Sequence, residues 1–116
     1  MTQIRFSKME GLGNDFIVMD DRNGSIDAGI SYSALSKILC DRHFGIGGDG
    51  IILVNPSKDH DIRFVIYNSD GSRADMCGNG MRCFAKYLYE KKIIDNKQIR
   101  VQTDAAVRKL AGSYPY

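Results

Sequence analysis

Apolar and polar positions alternate along this chain in short blocks, and the period lengthens twice from that of a strand to that of a helix. Residues 3–9 alternate with period two, and "DFIVMD" (15–20) reads as a second strand joined to the first by the turn "EGLGN". "DDRNGSIDAG" follows and is expected to be loop, because turn formers dominate it. Ser31 then stands where an N-cap belongs, ahead of a helix to about Arg42 with Leu35, Ile38 and Leu39 on one face and Gly45 past its end. "GIILV" (50–54) is apolar throughout, the mark of a buried strand. After the polar turn "NPSKDHD", the strand "IRFVIYN" (62–68) places Ile62, Phe64 and Ile66 on one face.

The second helical period opens near Cys77 or Gly78 and runs to about Lys92. Met81, Phe84, Ala85 and Leu88 form its apolar stripe, with Arg82, Lys86 and Glu90 opposite. Lys91 and Lys92 bring positive charge to its C-terminus, where it is favoured. "QIRVQT" (98–103) reads as a strand and "VRKL" (107–110) as a candidate for another. Strands and two helices in this order predict an α+β domain with a mixed sheet, spanning residues 1–111. The closing "GSYPY" (112–116) resembles a Gly-Ser joint with the first letters of an epitope tag, and is read as an appendage outside the fold.

Composition narrows the choices. A chain of 116 residues makes one domain, and 43% apolar with 26% charged residues is ordinary for a globular protein. The net charge of +2 comes from dispersed basic residues, so neither nucleic acid nor a membrane surface is an expected partner. No apolar run approaches the roughly 20 residues of a membrane span. The N-terminus lacks the pattern of a signal peptide, so a cytoplasmic location is expected. Three cysteines without an export signal argue against a disulfide framework. Metal binding is not expected either, since there is no Cys-x-x-Cys and His43 and His60 lie far apart. What remains is buried thiols or a reactive one.

"GIGGDG" (45–50) has the letters of a dinucleotide-binding loop, but such a loop follows a strand and opens a helix. Here a helix precedes and a strand follows. The glycines are therefore read as a tight helix-to-strand connection, and nucleotide binding is rejected.

Cys77 is different. It stands at the start of the second helix, where unpaired N–H groups and the helix dipole favour a thiolate. Gly78 and Gly80 keep side-chain bulk away from those N–H groups, so a carboxylate can approach, and Asn79 adds an amide donor. Upstream, "NSDG" (68–71) is a turn that folds Asn68 back towards the helix start. A lone cysteine is more often a small core residue, which is the reading of Cys40 and Cys83. For Cys77 the surrounding constellation moves the reactive reading ahead.

The run from Asn68 to Arg82, "NSDGSRADMCGNGMR", resembles the signature of diaminopimelate epimerases, with further likeness in "FSKMEGLGNDFIVMD" (6–20) and "DRHFGIGGDGIILV" (41–54). The resemblance covers nearly all of residues 4–104. It implies a mixed sheet curling around a central helix that starts at the catalytic cysteine. It also implies an enzyme that inverts an α-carbon of diaminopimelate without pyridoxal phosphate or metal, for lysine and cell-wall synthesis. One cysteine thiolate would remove the α-proton from one face, and a second cysteine would return a proton to the other. Carried over by motif, Cys77 is one of these thiols. Gly78 and Asn79 bind the α-carboxylate end, while Asn14 and Asn68 hold the substrate's polar groups. Asp70 and Ser72 match too, with structural roles expected in the turn.

The resemblance extends only to the first of the two similar halves that make up such an enzyme. The second cysteine belongs to the other half, and neither Cys40 nor Cys83 is placed to replace it. Ala106 stands where a glycine is expected. Two expectations follow: a domain that works when joined to another half, or an inactive folded module that self-associates. The missing half, or a second copy in a homodimer, is the expected partner. Proline racemases share the two-thiol logic but differ in local sequence, and phenazine-type isomerases of the same fold lack this cysteine as base. A cysteine hydrolase would need a general-base histidine, and nothing singles out His43 or His60.

Overall fold

The uninterrupted apolar run of 50–54 becomes a strand with both faces buried, and its alternate residues sort into two cores. A computed structural model describes residues 3–74, 77–93, 98–104 and 107–111; the expected appendage at 112–116 lies outside them. Among the described residues, seven strands form one mixed sheet: β1 (Ser7–Gly11), β2 (Asn14–Asp20), β3 (Gly50–Asn55), β4 (Ile62–Asn68), β5 (Arg73–Ala74), β6 (Gln98–Gln102) and β7 (Val107–Ala111). The order across the sheet is β1-β2-β3-β4-β6-β7, with β5 paired to β4. The β2–β3 and β4–β6 pairs are parallel and the others antiparallel.

Phe16, Val18, Ile52, Val54, Ile62, Phe64 and Ile66 point to one face and pack with α3 (Gly78–Glu90). Ile17, Met19, Ile51, Leu53 and Val65 point to the other, beneath α1 (Ser25–Gly29) and α2 (Tyr32–Cys40). A sheet covered on both sides needs strands without a polar face, as the sequence of β3 has. The α3 core runs from Met9 of β1 to Ile99 and Val101 of β6. Five flat strands would span about 19 Å, wider than a helix of about 10–12 Å, so the sheet curls around α3. The expected stripe Met81, Phe84, Ala85 and Leu88 is buried, and Phe84 meets Phe64 edge-on at 5.0 Å between ring centres.

Several expectations need correction. The first strand is Ser7–Gly11, shifted towards the turn, because Gly11 and Asn14 close a two-residue hairpin with Leu12 and Gly13 at φ 49° and 92°. The segment read as loop contains α1, which is capped from upstream of the helix: buried Asp21 accepts the N–H groups of Ile26 (2.8 Å) and Asp27 (3.1 Å). α2 is capped by Ser31 as expected, through Ala34 N–H at 3.2 Å, but ends at Cys40. Its inner face is Tyr32, Leu35, Ser36 and Cys40, and Ile38 is exposed. Ser36 is buried because its hydroxyl donates to the Asn68 carbonyl, a tertiary bond that sequence periodicity does not register.

Candidate functional site

Four segments converge on one end of the sheet. Gly50 pairs with both Phe16 of β2 and Asn68 of β4, so the start of β2, the loop before β3 and the end of β4 lie together. The α3 N-terminus joins them, because a β-carbon on Gly80 would lie 3.2 Å from Ile66 Cδ1 and 3.5 Å from Ile52 Cδ1.

Cys77 is the N-cap of α3. Its backbone is extended (φ −138°, ψ 124°) and its Sγ accepts the Gly80 N–H at 3.4 Å. The side chain is half-buried against the α3 core. The two flanking glycines differ in role. Gly80 lets the first turn of α3 seat on the sheet, so it serves packing rather than ligand access. A methyl on Gly78 would meet nothing within 4 Å, so that side of the helix start faces outwards.

Asn79 ties the helix to the hairpin: its Nδ2 donates to Asn14 Oδ1 at 2.9 Å. Asn14 Nδ2 in turn donates to Asp49 Oδ2 at 3.3 Å, and the same oxygen accepts Asp15 N–H at 2.9 Å. Arg42 lies over this group, donating to Asp15 at 3.0 and 3.1 Å and to Asp49 Oδ1 at 3.3 Å. Cys77, Gly78, Asn79 and Asn14 are thus brought together.

Asn68 stands at the same end, on the α3 face of β4 two residues beyond Ile66. Its amide Nδ2 donates to Ser72 Oγ at 3.0 Å, and its carbonyl accepts Gly71 N–H at 3.0 Å. Ser72 donates through N–H (2.9 Å) and hydroxyl (2.6 Å) to Asp70 Oδ1. Those two bonds hold the Asp70 carboxyl below its ordinary range. Gly71, at φ 88°, permits the reversal. Asp70 and Ser72 build the turn, as expected of them, and Asn68 shares in it.

The sequence profile of diaminopimelate epimerase matches residues 6–112. The chain belongs to the diaminopimelate epimerase family. It is 52% identical over 101 residues to the diaminopimelate epimerase of Desulforapulum autotrophicum, covering 87% of this chain and 36% of that protein. Identity to the Caldanaerobacter subterraneus subsp. tengcongensis enzyme is 55% over 104 residues, covering 90% and 36% respectively. The chain therefore spans little more than a third of the length of these curated relatives. Its fold is similar to that of a phenazine biosynthesis PhzF-family protein from Enterococcus faecalis (TM-score 0.73, 8% identity, 96% of this chain and 41% of that one). It is also similar to methylitaconate-delta-isomerase (TM-score 0.70, 12% identity, 96% and 35%).

Within this family domain the other two thiols are core residues. Cys40 and Cys83 are buried, and burial pushes both thiols up from their ordinary range. Sequence reading passed over Asp15, Arg42 and Asp49. Each carries an ordinary surface residue type, and Asp49 lies 35 positions from the Asn14 it holds, so no local pattern joins them.

Hydrogen bonding from Arg42 is the main reason the Asp15 carboxyl is held well below the usual carboxylate range. A depressed folded value means that ionised Asp15 stabilises the fold above its unfolded value of about 3.9, and that this contribution fades as pH falls through the folded value. Thermal melts should therefore show wild type exceeding Asp15→Asn by a constant margin from about pH 8 to about pH 5, shrinking below about pH 4. A margin that widens in acid would contradict the assignment.

Proposed function

We propose that the protein to which this domain belongs interconverts LL- and meso-diaminopimelate, with Cys77 as one of two acid–base thiols. The observation that carries the reading is the placement of Cys77 as N-cap of α3, beside an outward-facing Gly78 and an Asn79 bonded to Asn14. The Cys77 thiolate takes the α-proton, forming S–H as the C–H bond breaks. The electron pair left on the α-carbon spreads into the substrate carboxylate. That carboxylate lies at the N-terminus of α3, where Gly78 and Asn79 meet the growing negative charge with N–H donors and the helix dipole. Asn14 and Asn68 hold polar groups of the substrate. A second thiol, from the remainder of the protein, returns a proton to the opposite face.

Among the described residues, two large side chains stand exposed around this end of the sheet: Leu12 at the hairpin tip (75%) and Phe44 in the loop before β3 (95%). They suit a surface covered by the remainder of the protein, or by a second copy of this domain in a twofold dimer. An inactive, self-associating module is the second reading, and the same exposed pair favours it.

Incubation with diaminopimelate in deuterated water tests the proposal, using the chain alone and the chain mixed with the C-terminal portion of a family epimerase. Deuterium should enter the α-position in the mixture, and Cys77→Ala should slow this by at least about 100-fold. Equal incorporation by wild type and Cys77→Ala would refute the role of Cys77. No incorporation by any mixture would favour the inactive module.

A further inference from the structure

Asp49 closes a chain of polar contacts that ends at the first turn of α3. A carboxylate can only accept, and Asp49 accepts Asp15 N–H and Asn14 Nδ2 on one oxygen and Arg42 on the other. An asparagine amide donates at one end and accepts at the other. Two asparagines bonded to each other can therefore run in either sense unless a one-way group fixes them. Asp49 is such a group. It requires Asn14 to turn its nitrogen towards Asp49 and hence its oxygen towards Asn79, which must answer with its own nitrogen, as the 2.9 Å bond records.

We propose that Asp49 is a positioning residue whose acceptor-only carboxylate sets the polarity of the Asn14–Asn79 pair. Each of these amide nitrogens carries a second hydrogen, so the fixed polarity defines where the pair can donate to an anionic ligand at the start of α3. The link to a ligand rests on the reading of Asn14 and Asn79 given under Proposed function; the polarity is a property of the unliganded chain. The glycine-rich connection "GIGGDG" thereby gains a use other than phosphate binding. It carries Asp49 from the end of α2 to the start of β3, with Gly48 N–H on the Cys40 carbonyl and Asp49 N–H on the Asp15 carbonyl (2.8 Å). Arg42, whose side chain is 55% exposed, neutralises Asp15 and Asp49 without touching either amide.

Side-chain amide NMR signals of the unliganded chain test this. In Asp49→Asn the residue at 49 can donate or accept, so the signals of Asn14 and of Asn79 should shift or double, although no contact joins Asn79 to residue 49. Arg42→Gln removes the ion pairs but keeps the acceptor, and should leave the Asn79 signals in place. A purely structural role for Asp49 would lower the melting temperature without moving Asn79, and that result would overturn the proposal. So would equal movement in the two variants. Should Asp49→Asn fail to fold, the wild-type protein still decides. The polarity predicts a hydrogen-bond scalar coupling from Asn79 Nδ2 to Asn14 Cγ, and a coupling in the reverse sense would refute it. No diaminopimelate enters these measurements, so their failure removes the role of Asp49 and leaves the epimerase reading to the deuterium experiment.

Discussion

Iodoacetamide at neutral pH should alkylate Cys77 at least about 100-fold faster than Cys40 or Cys83 in the folded chain. Alkylation needs both a thiolate and a path for the reagent. Cys40 and Cys83 are 4% and 3% exposed, and burial raises both thiols, so each lacks both requirements. Cys40 is held in the α2 core, while Cys83 lies under the β1–β2 hairpin, its Sγ 3.4 Å from where a β-carbon on Gly11 would stand. Either becomes reactive only when its region opens, and an opening free energy of about 3 kcal/mol already slows the reaction by more than about 100-fold. Cys77 needs no such opening. It caps α3 from a half-buried position next to Gly78, which has open space beside it. Peptide mapping over a labelling time course measures all three rates in one sample. Equal rates without denaturant would mean that Cys77 is packed as deeply as the others.

What was legible in the sequence was what local periodicity and end signals encode. The strand 62–68 and the stripe of α3 follow from spacing alone, because core faces are read at two and at 3.6 residues per repeat. The Ser31 cap was legible because its acceptor and donor lie three positions apart. α1 was not, since its cap is Asp21, upstream of a Gly24 with no side chain to offer. The exposed position of Ile38 was hidden for a similar reason. Ser36 takes the inner place because it bonds to a carbonyl 32 residues away. At the site, the Cys77 helix start was visible as a run of consecutive residues. The Asp49–Asn14–Asn79 chain was not, because it joins three segments that only the completed sheet brings together.

Gly45→Ala should destabilise the domain by about 3 kcal/mol, although the residue lies in a surface connection. A β-carbon there would stand 2.2 Å from the Ile38 carbonyl oxygen, 2.8 Å from that of Leu39 and 2.9 Å from that of Asp41. All three are backbone atoms at the end of α2, so no side chain can swing aside. The chain must move instead, and with it the bonds that satisfy this helix end: Gly45 N–H to Asp41 (2.9 Å), Gly47 N–H to Leu39 (2.9 Å) and Gly48 N–H to Cys40 (3.2 Å). Gly47, at φ 85°, and Gly50, where a β-carbon would lie 2.6 Å from the Tyr67 carbonyl oxygen, constrain the same segment further along, so displacement at Gly45 has little slack to absorb it. Close backbone packing thus demands Gly45 and Gly50, and a positive φ favours Gly47, so most of the letters of a phosphate loop arise here from a helix-to-strand connection. Gly29→Ala is the control, since a β-carbon there meets nothing within 4 Å, and its effect should stay within about 0.5 kcal/mol. Urea midpoints for the two variants decide the matter. A Gly45→Ala protein as stable as Gly29→Ala would show that the connection can relax, and that the carbonyl contacts do not explain the glycine.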